Sequence, residues 1–144
     1  LHHLDVSANE LVDLDNIFCL EKLTFLSAEM NNLTRFPFAI YQLDNLEYLN
    51  LTKNNFASGI KDSLPGNLEE FILMNDNLSE FPSGILGLRR LKVLNLSYNP
   101  LLKHIPSELT RMIQLQKLNL RATGVSAEEI EFLLQAMPEC EIVY

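Results

Sequence analysis

Residues 46–56 read LEYLNLTKNNF, and residues 91–101 read LKVLNLSYNPL. Both fit one template, L-x-x-L-x-[LVA]-x-x-[NDT]-x-[LFV]. It recurs from Leu1 (LHHLDVSANEL), Leu23 (LTFLSAEMNNL), Leu68 (LEEFILMNDNL) and Leu115 (LQKLNLRATGV), making six copies in 144 residues. Successive copies start 22, 23, 22, 23 and 24 residues apart. Self-similarity at that period means a stack of like units, since no single copy can bury its apolar side alone.

Within the template, apolar positions 4 and 6 alternate with polar or variable positions 3, 5 and 7. That is the period of a short strand with one buried face. Position 4 holds Leu4, Leu26, Leu49, Phe71, Leu94 and Leu118; position 6 holds Val6, Ala28, Leu51, Leu73, Leu96 and Leu120. Positions 1 and 11 add two more apolar columns. Position 9, the turn out of the strand, is Asn9, Asn31, Asn54, Asp76, Asn99 and Thr123. Asparagine carries a donor and an acceptor on one short side chain, so a column of them can satisfy buried backbone groups of adjacent coils. An ionised Asp76 accepts but cannot donate, and Thr123 ends the column.

The second halves of the repeats agree with one another. LTRFPFAIYQLDNL, LSEFPSGILGLRRL and, after one extra residue, LKHIPSELTRMIQL share L-x-x-[LFI]-P-x-x-[ILF]-x-x-[LM]-x-x-L. Pro37, Pro82 and Pro106 suit the first turn of a short helix, where a missing N–H does no harm. With six in-register copies, the chain resembles the leucine-rich repeat family over essentially its whole length. That resemblance implies an α/β right-handed solenoid, with a curved parallel sheet on the concave face and short helices or irregular turns on the convex face. The third repeat departs from the pattern: FASGIKDSLPGNL has Pro65 and Gly66 late, so its convex side is expected to be irregular.

Two parts are expected: repeats over 1–125, and a capping helix with a final extended segment over 126–144. Ser126 followed by Glu129 is a capping-box pattern. Ile130, Leu133, Leu134 and Met137 then recur at helical spacing, and Pro138 ends the helix. This ending resembles leucine-rich repeat proteins of bacteria. Leu1 already occupies template position 1, so the array is expected to begin in mid-course, with Leu4, Val6 and Leu11 facing water and an open coil available for self-association.

The formal net charge of −8 and sequence pI of about 4.8, without a basic stripe, argue against nucleic acid or an anionic membrane as partner. No stretch is long and apolar enough to span a bilayer as a helix. Cys19 and Cys140 lie far apart, with no cluster of the kind usual in the end caps of secreted animal leucine-rich repeat proteins. A disulfide framework is therefore not expected, nor an animal extracellular protein; cytoplasmic and bacterial surface or secreted locations stay open. Cys19 is read as a small buried apolar residue. The sequons at Asn32, Asn50, Asn77 and Asn95 fall out of the repeat template itself.

His3, Asp5 and Ser7 share one strand face, but alternate strand residues stand about 6.5 Å apart, too far for a relayed triad. No metal-ligand motif, Gly-rich phosphate loop or other catalytic signature is present, and no cofactor is implied. The variable positions of the sheet instead gather apolar and aromatic side chains. Phe25, Tyr48, Ile72, Met74, Val93 and Tyr98, with Met30 and a rim that includes Glu29 and Lys53, are the candidate partner-binding residues. Phe25 is expected to stack on Tyr48. An apolar centre with aromatic anchors and a polar rim is how protein interfaces are commonly built. The leading expectation is a non-catalytic module that recognises a protein. The alternatives are the recognition part of a larger enzyme or effector, and a structural or self-associating module.

Overall fold

The computed structural model describes residues 1–57 and 59–144. Seven three-residue strands form one parallel sheet in chain order: β1 His3–Asp5, β2 Phe25–Ser27, β3 Tyr48–Asn50, β4 Glu70–Ile72, β5 Val93–Asn95, β6 Lys117–Asn119 and β7 Glu141–Val143. Strands β1 to β6 each occupy template positions 3 to 5, and their register follows the repeat: His3 pairs with Phe25, Phe25 with Tyr48, Tyr48 with Glu70 and Glu70 with Val93. The final extended segment is the seventh rung, pairing Leu118 with Ile142.

The core is the sum of the template columns. From the second repeat on, the position 1, 4 and 6 residues are buried, among them Leu26, Leu49, Phe71 and Leu94. In the first coil Leu4, Val6 and Leu11 are half-buried, not open to water as expected, because the second coil covers one side of each. The exposed apolar residues there are Leu1, Val12 and Phe18. In the fifth repeat the extra residue is Leu101, which is exposed. Leu102 takes the position 11 column instead, held by its amide on the Asn99 carbonyl and its own carbonyl on the Gly124 amide.

The convex side carries one-turn 3-10 helices at Asp15–Cys19, Phe38–Gln42, Ser83–Gly87 and Ser107–Arg111. Pro37, Pro82 and Pro106 stand one residue before these turns, not within them. Their carbonyls accept the first turn bond, from Ile40, Ile85 and Leu109. The third repeat has no such helix among its described residues. Its Asp62 backbone instead lies so close to Gly84 that a β-carbon there would fall 2.0 Å from the Asp62 carbonyl oxygen. Gly84→Ala should therefore cost about 1–3 kcal/mol, because only backbone can move aside. Chemical denaturation reads this directly, and an unchanged midpoint would contradict the close approach. Cys19 is exposed, not buried: its short turn directs Ile17 inward and leaves Phe18 and Cys19 outside. Cys140 is buried, and both thiols are free.

Helix α1, Ala127–Ala136, starts at Ser126, whose hydroxyl accepts the Glu129 amide at 3.2 Å. The reciprocal half of the capping box is absent. The Glu129 carboxylate reaches back to the preceding repeat, accepting the Ile105 amide at 2.8 Å and lying 3.4 Å from His104 Nδ1. Ile130, Leu133 and Met137 face the core, whereas Leu134 and Phe132 are exposed.

The position 9 column is the internal brace. Asn54 Nδ2 donates to the carbonyls of Ala28 (3.0 Å) and Leu51 (2.7 Å), and its Oδ1 accepts the Leu33 amide (3.0 Å). Asn31 repeats the pattern one coil before and Asn99 two coils after, with Asp76 between Asn54 and Asn99. In the first two coils the position 6 carbonyl thus stands between two column donors. Val6 accepts from Asn9 and Asn31, and Ala28 from Asn31 and Asn54. The Leu51 carbonyl has only Asn54, and the Leu73 carbonyl only Asn99. The donor each lacks belongs at position 76. There Asp76 is fully buried, with Oδ1 accepting the Asn54 amide and Oδ2 without a partner. Burial pushes its carboxyl up to about 8, opposed only by the Asn54 amide.

Candidate functional site

The outward strand positions fall on one face of the sheet. Phe25 and Tyr48 stack as expected, with ring centroids 4.3 Å apart and planes within 4°. The stack is longer than expected: His3 lies on the other face of Phe25 at 3.9 Å and 6°. Parallel in-register pairing sets like positions about 4.8 Å apart, which brings flat rings into contact. Phe25 and Tyr48 are half-buried by this packing. Ile72, Met74 and Val93, also half-buried, continue the apolar band across β4 and β5.

The remaining candidates sit off this band. Met30, Lys53 and Tyr98 occupy template position 8, where every repeat places a non-glycine residue at positive φ, between 54° and 59°. In the first five repeats the amide there donates to a carbonyl of the next coil, as Lys53 does to Met74 at 2.9 Å and Tyr98 to Arg121 at 2.8 Å. Position 8 is thus a corner, and it projects Met30, Lys53 and Tyr98 outward along the edge of the face; Tyr98 is 49% exposed.

Position 5 is less free than alternation implies. Asp5, Asn50, Asn95 and Asn119 each turn the side-chain oxygen onto the amide two residues on, at 2.9 to 3.0 Å. These bonds close the strand ends, leaving Ile72 as the apolar exception in the column. At position 7, Thr52 and Ser97 are buried, while Glu29 and Met74 remain partly open.

Charge is uneven. The Tyr48 hydroxyl is raised above its ordinary value by burial and then by Glu70, with smaller contributions from Glu29 and Asp5. Glu29 meets the Asn50 amide at 3.3 Å. The paper triad of β1 is taken apart: His3 is in the stack, Asp5 bonds the Ser7 amide, and the Ser7 hydroxyl lies 2.8 Å from that of Ser27. Among the described residues, no three or more His, Cys, Asp or Glu side chains are grouped to hold a metal ion, and no helix is long and apolar enough to cross a membrane. The sequence reading missed an open groove of about 500 Å³ between the last repeat and α1, lined by Leu120, Val125, Ile130, Leu134 and Tyr144 among others. Its residues come from three separate segments, so no single motif announces it.

Two family models, both described as leucine-rich repeat, match residues 66–125 and 45–68. The chain belongs to the leucine-rich repeat family. Its fold is shared over 100% of its length with a leucine-rich repeat protein of Leptospira interrogans, at 31% identity and a TM-score of 0.86. Two Listeria monocytogenes structures share the fold alone: the functional domain of InlJ (22% identity, TM-score 0.78, 100% of this chain) and the internalin InlF (19%, 0.80, 99%). This leucine-rich repeat chain spans 37%, 29% and 41% of those three chains respectively. No curated protein matches it in sequence.

Proposed function

We propose that this leucine-rich repeat chain is a non-catalytic module that recognises a protein partner on its concave face. The observation that supports the reading is the continuous band His3–Phe25–Tyr48–Ile72–Met74–Val93. It is partly open and lies on hydrogen-bonded strands of one sheet. Grouped aromatic and aliphatic side chains on one solvent face are atypical of a monomer surface and often mark an interface. Because strands hold them, the anchors bind with little ordering cost.

Tyr48→Ala is a poor probe, since it also removes a stacked ring. Ile72→Ser with Tyr98→Ala is cleaner. Ile72 is half-buried at the face and Tyr98 half-exposed at its edge, and alanine inherits the same backbone strain at position 98. In a pull-down from the native lysate, this double variant should retain less than about a tenth of the partner held by the wild type, equivalent to roughly 1.4 kcal/mol. Its melting temperature should stay within a few degrees. Ile113→Ser, at a residue 92% exposed outside the band, should change neither quantity. Full retention of the partner by the double variant would contradict the face.

A further inference from the structure

Charge is distributed unevenly between the aromatic band and the rest of the surface. Among the described residues, Arg35 pairs with Asp15, Lys61 with Glu80, Arg90 and Lys92 with Glu69, and Lys117 with Glu141, all off the aromatic band, while Lys53 stands exposed at the edge of the band without a carboxylate within 4 Å. Asp5, Glu29 and Glu70 on the band have no cation within 4 Å among the described residues. Register sets Glu70 beside Tyr48, Glu29 accepts the Asn50 side-chain amide two residues along β3 at 3.3 Å, and Asp5 heads the row Asp5–Ser27–Asn50 that crosses the same face. The apolar residues Ile72 and Met74 adjoin this area, one strand along from Tyr48.

We propose, building on the docking reading, that the partner is a protein segment carrying a lysine or arginine side chain beside an apolar one. The cation sits at the Tyr48 hydroxyl among Asp5, Glu29 and Glu70, and the apolar side chain lies on Ile72 and Met74. The ring faces of Phe25 are already used by His3 and Tyr48, so the cation meets the polar rim of the stack and not its planes. Lys53, exposed at the corner after β3, and Arg121, exposed beyond β6, bound the acidic part of the face, so the basic side chain of the segment lies over the carboxylates of β1 to β4 and away from both. Charge complementarity of this kind raises the association rate and selects the partner.

The test uses two synthetic peptides of equal length, one of lysine and leucine and one of glutamate and leucine, titrated into the whole chain with NMR detection. The lysine peptide should shift Tyr48, Ile72 and Met74 resonances and bind more weakly as salt rises. Glu29→Gln with Glu70→Gln should weaken it about tenfold, and Arg121→Gln should not. Equal binding of both peptides, or shifts confined to the acidic start of α1, would overturn the basic partner. The native partner separates the two claims. If Ile72→Ser releases it and Glu29→Gln with Glu70→Gln does not, the face stands and the basic segment falls. If neither variant releases it, the face falls as well.

Discussion

Asp76→Asn should stabilise the chain by about 2 kcal/mol at pH 8, the worth of a buried polar group regaining its partners. The Leu51 and Leu73 carbonyls each lack the second donor that the Val6 and Ala28 carbonyls possess, and an amide nitrogen at position 76 would serve both. In the wild type only the protonated carboxylic acid can donate there. Its folded pKa, about 8, lies above the ordinary value of 3.8, so the folded chain binds the proton more tightly than the unfolded one. The stability it contributes is complete below pH 3.8 and is lost as pH rises through about 8. The advantage of Asp76→Asn should therefore be smallest near pH 4, grow towards pH 8 and level off above it. Urea melts of both proteins across that range give the comparison. A difference independent of pH, or a less stable variant, would show that Asp76 is not a protonated member of the column.

Asn54→Ala should act in the opposite direction, costing about 3 kcal/mol. Three buried backbone groups, the carbonyls of Ala28 and Leu51 and the amide of Leu33, lose a partner at once. Asn9→Ala is the control. Asn9 is exposed and bonds only to Val6 and Ser7 of its own turn, so its removal should cost less than about 1 kcal/mol. Similar losses at the two positions would mean that the column does not tie one coil to the next.

Much of this architecture is legible in the chain. The alternation of positions 4 and 6 specifies strands and core because period two leaves one consistent way to bury them. The Phe25–Tyr48 stack follows from equal register in neighbouring strands. The irregular third convex segment was signalled by the late Pro65 and Gly66. Other features depend on groups that sequence period does not reveal. Alternation marks Asn50 and Asn95 as outward, yet each spends its oxygen on a local amide. It marks Thr52 and Ser97 as open, yet both are buried, and the Ser97 hydroxyl donates to Asn95 at 2.6 Å. Position 8 gives no sign of its left-handed backbone, because Met30, Lys53 and Tyr98 are residue types that seldom adopt it; bonds to the next coil impose it. Leu134 fits the helical period of α1 but lies on its open side, since a helix of ten residues has too few turns to fix the edge of its apolar stripe. Leu101 and Leu102 are indistinguishable by type, and the neighbouring coil decides which enters the core.

The concave face exists only if the coils are stacked in register, with variable side chains outward. Ring-to-ring nuclear Overhauser contacts in the free protein test this most directly. Strong contacts from Phe25 to both His3 and Tyr48, with none from Tyr48 to the buried Leu49 and Phe71 side chains, are the predicted result. Missing Phe25–Tyr48 contacts, or Tyr48 contacts into the leucine core, would contradict the register and remove the docking face with it.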